Sequence, residues 1–281
     1  MKVKGFIMPQ LADEQPKSLL QKFKEKKRWA VKRYGKKLIY KLAQLMDRES
    51  LVETTPIIPH EQFEFLKPLQ DNWQVMADEA RKVLEFRDAI PAFQEVSRDQ
   101  HRIAKGKNWR TFILFGFGQK MTKNAKMAPE TTRLLEGVPN LQTAWFSILA
   151  PGYHIPAHTG VTKGVLRVHI GLIVPRDYEK CRIRVGDQIR AWQEGGMFIL
   201  DDTYNHEVWN ETDQERVILL FDFDRPMKWK GRLANMLSIA AMKRTAFYQE
   251  PKKNMQSFED RFEAATRRAA ENLEKMSERD S

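Results

Sequence analysis

The sequence predicts a mainly β fold, a sandwich, jelly roll or barrel, with helical extensions at both ends. Seven short runs rich in branched, aliphatic and aromatic residues carry that expectation. They fall at 142–149, 164–174, 181–185, 188–193, 197–202, 206–210 and 216–224, separated by turn residues. No helical stretch divides them, which argues against an alternating βαβ sheet. Outside this block the apolar residues recur at helical spacing instead.

In chain order, residues 16–47 read as one or two helices, with Tyr34, Leu38, Leu42, Leu45 and Met46 in an apolar stripe among lysines and arginines. LVETTPIIPH, 51–60, has two prolines and no period, and reads as a linker. A second helical stretch, 61–86, is interrupted near Pro68. The texture turns to β from about 108: WRTFILFGFG is a β run closed by glycines, and PETTRLLEGVP has the Pro-to-Gly asymmetry of a short helix. Beyond Pro226, Trp229, Leu233, Met236, Leu237 and Ala240 form a stripe beside Lys228, Lys230 and Arg232, and a charged helix runs from about 256. The expected organisation is a basic helical extension and linker over 1–60, a β domain with leading helices over 61–225, and a helical extension over 226–281.

The chain has 281 residues, 42% of them hydrophobic, enough for a substantial core. A single cysteine, Cys181, excludes an intramolecular disulfide framework and a zinc–cysteine cluster, and fits a reducing compartment. The opening residues lack an apolar run of signal-peptide length, and nothing approaches a transmembrane helix. A soluble cytoplasmic protein is expected, at most peripheral on the inner face of a membrane. The net charge of +11 sits at the ends: residues 1–50 hold 14 Lys/Arg against 5 Asp/Glu, and 225–281 hold 13 against 8. Such ends suit an anionic membrane surface, nucleic acid or plain solvent.

Four of the six histidines lie between 154 and 206. His154 and His158 are four apart, but Pro156 between them forbids a regular helix, so this is not the helical two-histidine zinc motif. His158 is expected in a turn before a strand, and His206 follows the run MFILDD and a polar turn. Two imidazoles from separate strand ends of one barrel suit a non-haem Fe(II) site with open coordination positions. In GVLRVHIGLIVP, Arg167, His169 and Gly171 share one face while Val168, Ile170 and Leu172 share the other. A cation and an imidazole together suggest an anion bound inside the barrel. Arg216 opens the last β run, where it could grip a carboxylate bidentately. The alternative for either arginine is a rim salt bridge, to Glu207 or Asp222.

The stretch Trp145–Asp224 resembles the aspartyl/asparaginyl β-hydroxylase family, which includes bacterial lipid A acyl-chain hydroxylases. The matching pieces are FSILAPGYHIPAHTG, LRVHIGLIVP, CRIRVG, DDTYNHEVWNET and RVILLFDFDRPM, with weaker likeness upstream in DNWQVMADEA and APETTRLLEGVPNL. The resemblance implies a double-stranded β-helix (cupin-like) that uses Fe(II), 2-oxoglutarate and O₂. Under it, His158 and His206 are the metal ligands. Arg216, helped by the Ser147 hydroxyl, holds the distal carboxylate of 2-oxoglutarate, and His169 contacts the carboxylate nearer the metal. Arg167 faces that carboxylate or an anionic substrate group, and Asp202 orients metal-bound water or a ligand imidazole.

One departure stands out. Most enzymes of this chemistry carry His-x-Asp, whereas this chain reads His158-Thr159-Gly160, leaving two protein ligands. Halogenases also lose that carboxylate, but the whole-segment resemblance favours hydroxylation. The leading substrate expectation is an aspartyl or asparaginyl group in a peptide or small molecule. The alternative within the class is an acyl chain of lipid A or a related membrane lipid. Outside it stand a non-catalytic cupin-like binding module and a nucleic-acid binder using Phe23, Trp29 and Tyr34; nucleic acid is the disfavoured partner.

Overall fold

The computed structural model describes residues 37–277. Expectations for 16–36 and for Phe23, Trp29 and Tyr34 lie outside the described residues. Two units separate at 41/42; of the first, only the helical residues 37–41 are described. The second holds all the remaining elements.

Helix α1 (42–48 in this unit) leads through the short strand β1 (Ile57–Ile58) to α2 (Lys67–Asp71) and α3 (Trp73–Leu84). Pro68 stands in the first turn of α2, where its missing N–H costs nothing, so the interruption becomes a helix start. A short α4 (Phe93–Val96) precedes β2 (Trp109–Gly116) and β3 (Gln119–Lys120), followed by α5 (Thr122–Ala125) and α6 (Pro129–Glu136).

Eight strands come next: β4 (Leu141–Leu149), β5 (His154–His158), β6 (Val165–Ile173), β7 (Cys181–Val185), β8 (Gln188–Ala191), β9 (Met197–Leu200), β10 (His206–Asn210) and β11 (Arg216–Asp224). They divide between two antiparallel sheets. One has the order β1-β9-β6-β11-β4-β2-β3 and the other β5-β10-β7-β8. From β4 to β11 the chain alternates between sheets, except at the β7–β8 hairpin, which is the winding of a double-stranded β-helix. Helices α7 (Trp229–Met242) and α8 (Ala246–Ser277) complete the unit.

The strict alternation in β6 has a plain consequence. Leu166, Val168, Ile170 and Leu172 join Val217, Leu219, Phe221 and Phe223 in one core, which α3, α6 and α8 cover through Met76, Leu135 and Phe262. The opposite face of the same strands, carrying Ile218 and Leu220, turns toward the smaller sheet and meets Ile155, Ile183 and Val208. Polar side chains at 167, 169, 216 and 222 therefore point between the sheets.

One expectation fails here. His158 is in a strand, not a turn: β5 pairs with β10 at the edge of the smaller sheet, where a proline is tolerated. Pro156 lies in the bulge of that pairing, between His206↔His158 and Val208↔Ile155. A regular strand would place residues 155 and 158 on opposite faces; the extra residue brings both to the inner one.

The helical layer is tied down by a buried carboxylate. Glu79 of α3 accepts hydrogen bonds from the backbone N–H groups of Glu130 and Thr131 (2.8 Å each) and from the Thr131 hydroxyl (2.6 Å), capping α6 from outside. Glu79→Ala should lower stability by about 1–3 kcal/mol, because it strands these donors. Denaturant unfolding with an unchanged midpoint would remove this role.

Candidate active site

Between the sheets lies a cavity of about 460 Å³, within the usual range for a small-molecule site. His158, His169, His206 and Arg216 all line it, together with Ser147, Arg167, Asp202 and Gly160. Each sequence-predicted site residue is thus on one wall or another. His154 is not: it stacks on Trp209 and contacts Glu207 at 3.2 Å on the outer side.

His158 and His206 are direct cross-strand partners, with ring centroids 4.1 Å apart. Each ring turns Nδ1 to a backbone carbonyl two residues earlier, His158 to Pro156 at 2.8 Å and His206 to Tyr204 at 2.9 Å. A carbonyl only accepts, so Nδ1 carries the proton and Nε2 of each ring keeps its lone pair. Burial holds both rings neutral. It lowers His158, and it pushes His206 down to about 3 with His158 alongside. Paired neutral imidazoles with fixed tautomers are ready to bind a divalent metal without first losing a proton.

The two arginines separate cleanly. Arg167 grips Asp222, directly opposite on β11, through Nε (2.8 Å) and Nη2 (3.0 Å), and reaches Asp202 with Nη1 at 3.1 Å. Burial works against its charge, but the two carboxylates raise its affinity for the proton. The rim-bridge alternative therefore describes Arg167, whose guanidinium is already committed within the protein. Arg216 is 2% exposed and has no carboxylate partner among the described residues. Its guanidinium lies 4.4 Å over the Trp192 ring, its Nε has no hydrogen-bond partner, and burial pushes it down to about 10.

Its neighbours are equally unsatisfied. Both ring nitrogens of buried His169 lack partners, as does the indole N–H of Trp192; farther along the strands the Trp145 indole N–H, beside Arg167, is also unpaired. Burial, with Arg167 and Arg216 nearby, keeps His169 well below its ordinary value and so neutral. Ser147 accepts a hydrogen bond from the Trp109 indole at 3.0 Å, which leaves its own O–H free to donate. A buried cation ringed by unused donors is a site for an anion. Trp109, Trp145 and Trp192 went unnoticed in the sequence; tryptophans inside the β runs were the available signal.

Gly160 lies two residues beyond His158, and its N–H donates to the Asp202 carbonyl at 2.7 Å. A methyl group placed on Gly160 would overlap the Asp202 carboxylate. Asp202 thus fills the space a side chain at 160 would need. Its carboxyl is raised to about 6, chiefly by burial and against the pull of Arg167.

Comparison with known proteins places the chain in a family. A family model described as Aspartyl/Asparaginyl beta-hydroxylase matches residues 70–226. An ornithine lipid ester-linked acyl 2-hydroxylase of Rhizobium tropici is 40% identical over 209 residues, covering 74% of each chain. The human aspartyl/asparaginyl beta-hydroxylase is 33% identical over 168 residues, which are 58% of this chain but only 21% of that protein. Among solved structures, a cupin domain of a transcriptional regulator from Enterobacter cloacae covers 41% of this chain at 15% identity and a TM-score of 0.29. The chain belongs to the aspartyl/asparaginyl β-hydroxylase family.

Proposed function

We propose that the protein is an Fe(II)- and 2-oxoglutarate-dependent hydroxylase whose substrate is the acyl chain of a membrane lipid. The observation that carries this reading is an apolar trough beside the cavity. It encloses about 240 Å³ and shares Phe93, Gln100, Trp145, Val161 and Arg167 with the cavity as common wall. Its other walls include Phe117, Val165, Ile239, Met242, Tyr248 and Met255. Such a surface favours methylenes over a carboxylate or amide. The 40% identity to a lipid acyl hydroxylase supports the same choice. The aspartyl or asparaginyl reading rests on His158-Thr159-Gly160 and on the human relative.

The donor set fits the cofactors. His158 and His206 would hold iron through Nε2. Arg216, with the Ser147 hydroxyl, would hold the distal carboxylate of 2-oxoglutarate, and His169 would meet the end nearer the metal. Iron bound there supplies oxidation of an unactivated C–H at the expense of 2-oxoglutarate and O₂. The chain's own work is positional. It fixes the imidazole tautomers, offers a desolvated guanidinium to a dicarboxylate, and lines the approach with apolar side chains that limit water. Arg167 holds the Asp202 carboxylate beside the metal-binding wall. The deciding experiment gives purified protein Fe(II), 2-oxoglutarate and O₂ with either membrane lipids or aspartyl peptides. Succinate formation with a gain of one oxygen on an acyl chain is expected; oxygen gained on the peptide alone would reverse the choice.

His158→Ala and His206→Ala should each abolish Fe(II)-dependent succinate formation while melting close to wild type. Turnover at the wild-type rate in either variant would disprove the ligand assignment.

Arg216→Ala should raise the 2-oxoglutarate KM by two orders of magnitude or more, from a loss of about 3–5 kcal/mol on breaking a buried charge pair. Arg216→Lys should recover only part. Arg216→Met keeps an apolar stem near Trp192 and removes an uncompensated charge. Its unfolding temperature without co-substrate should equal or exceed that of wild type, and a large fall would mean that Arg216 is satisfied inside the protein.

Gly160→Asp should lower hydroxylation strongly, because the new side chain must displace Asp202 from Arg167. Iron titration alongside product measurement checks this; equal or higher activity would show that the shell accepts a third protein ligand.

A further inference from the structure

The apolar stripe of α7 does not face the core. Trp229, Leu233, Met236 and Leu237 are 67%, 43%, 59% and 55% exposed, although their spacing puts them on one side of the helix. The side turned inward is small and partly polar: Gly231, Ala234 and Asn235 are buried. Ala234 packs against Met46 of α1, and Asn235 donates to the Gly164 carbonyl at 3.1 Å. This small inner face seats the helix closely and leaves its larger hydrophobic side chains outside.

The charge on α7 and its immediate flanks has one sign, although Asp224 and Glu49 lie nearby. Residues 228–244 contain five Lys/Arg (Lys228, Lys230, Arg232, Lys243, Arg244) and no Asp or Glu. All five are exposed, and none forms an ion pair among the described residues. The Lys230 ammonium lies 5.5 Å from the Trp229 ring, so an interfacial aromatic and a cation sit together at the helix start. Leu51, 61% exposed, lies in the same groove as Trp229, Leu233 and Met236.

We infer that the outer face of α7 docks on an anionic lipid bilayer, lying in the interface with Trp229, Leu233, Met236 and Leu237 among the acyl chains. Amphipathic interfacial helices combine this apolar face with flanking lysines and arginines that meet lipid phosphates. The location suits the chemistry. Ile239 and Met242, in the second half of α7, wall the trough beside the catalytic cavity, as does Lys243 just after the helix. A chain drawn from the bilayer along α7 would therefore reach the wall that the trough shares with the histidine-lined cavity. No described helix is long and apolar enough to cross a membrane. The inference rests on the acyl-chain reading of the trough.

The test is sedimentation of full-length protein with phosphatidylglycerol–phosphatidylcholine vesicles or with phosphatidylcholine vesicles. It compares wild type with Leu233→Glu/Met236→Glu and with Lys230→Glu/Arg232→Glu. Wild type should pellet with the anionic vesicles and be released by salt, while both variants lose at least ten-fold in partitioning. Their 2-oxoglutarate binding, read by tryptophan quenching, and their molar mass in solution should not change. Variants that pellet like wild type would assign the binding to another segment and overturn the inference, as would a wild type indifferent to anionic vesicles. A changed molar mass in the variants would instead assign the face to a second copy. Vesicle binding lost with the variants, but no oxygen gained on any acyl chain, would sink the substrate reading and leave the docking face standing.

Discussion

Arg167, Arg216 and Arg225 lie between or beside the sheets, and the difference in how their charges are met organises the site. Arg225 is enclosed with Asp201, Nη2 to Oδ2 at 2.5 Å, and also donates to the Lys163 carbonyl. Arg167 has Asp222 and Asp202. Arg216 has an indole face and no carboxylate among the described residues. A guanidinium taken out of water without an anion is strongly unfavourable, and a fold keeps one where a ligand supplies the missing charge. The cavity, the two unpartnered nitrogens of His169 and the spare Ser147 proton all surround that deficit.

The imidazole pair depends on local backbone more than on its neighbours. Pro156 and Tyr204 fix both rings through main-chain carbonyls, so the tautomers do not depend on any side chain that a substrate could disturb. The bulge opposite Glu207 supplies the phase that puts His158 on the inner face. Asp202 approaches from the β9–β10 turn into the space beside Gly160, but Arg167 engages its carboxylate. The absent side chain at 160 and the Arg167–Asp202 contact are two halves of one arrangement, in which the acid is present but tethered.

Much of this was legible in the residues. LRVHIGLIVP alternates because one face meets α3 and the other meets the cavity, and that split survives intact in the structure. Periodicity found the C-terminal helix and its apolar stripe. It could not say what covers the stripe, because a face packed on a core and one offered to a membrane have the same spacing. β5 was hidden by Pro156, whose strand role depends on lying at an edge. Which arginine stays unpaired was also beyond the sequence. It depends on cross-strand register, Asp222 opposite Arg167 and Leu149 opposite Arg216, and strand order alone does not give register.

On the proposed reading, the chemistry and the choice of substrate draw on different parts of the chain. Every residue assigned to metal or co-substrate lies on β4 to β11 or their turns, within the 70–226 match to the family. Part of the trough is built from the two helices C-terminal to that match: Ile239 and Met242 on α7, Tyr248 and Met255 on α8. These helices are held by packing the strands do not dictate, through Ala234 against Met46 and Phe262 against the outer core. The β-helix fixes where the paired imidazoles stand, to within the stiffness of paired strands. On the proposed reading, helices beside the cavity contribute to deciding which C–H can reach it. Their surface chemistry can therefore change from a polar groove to an apolar trough without moving a ligand.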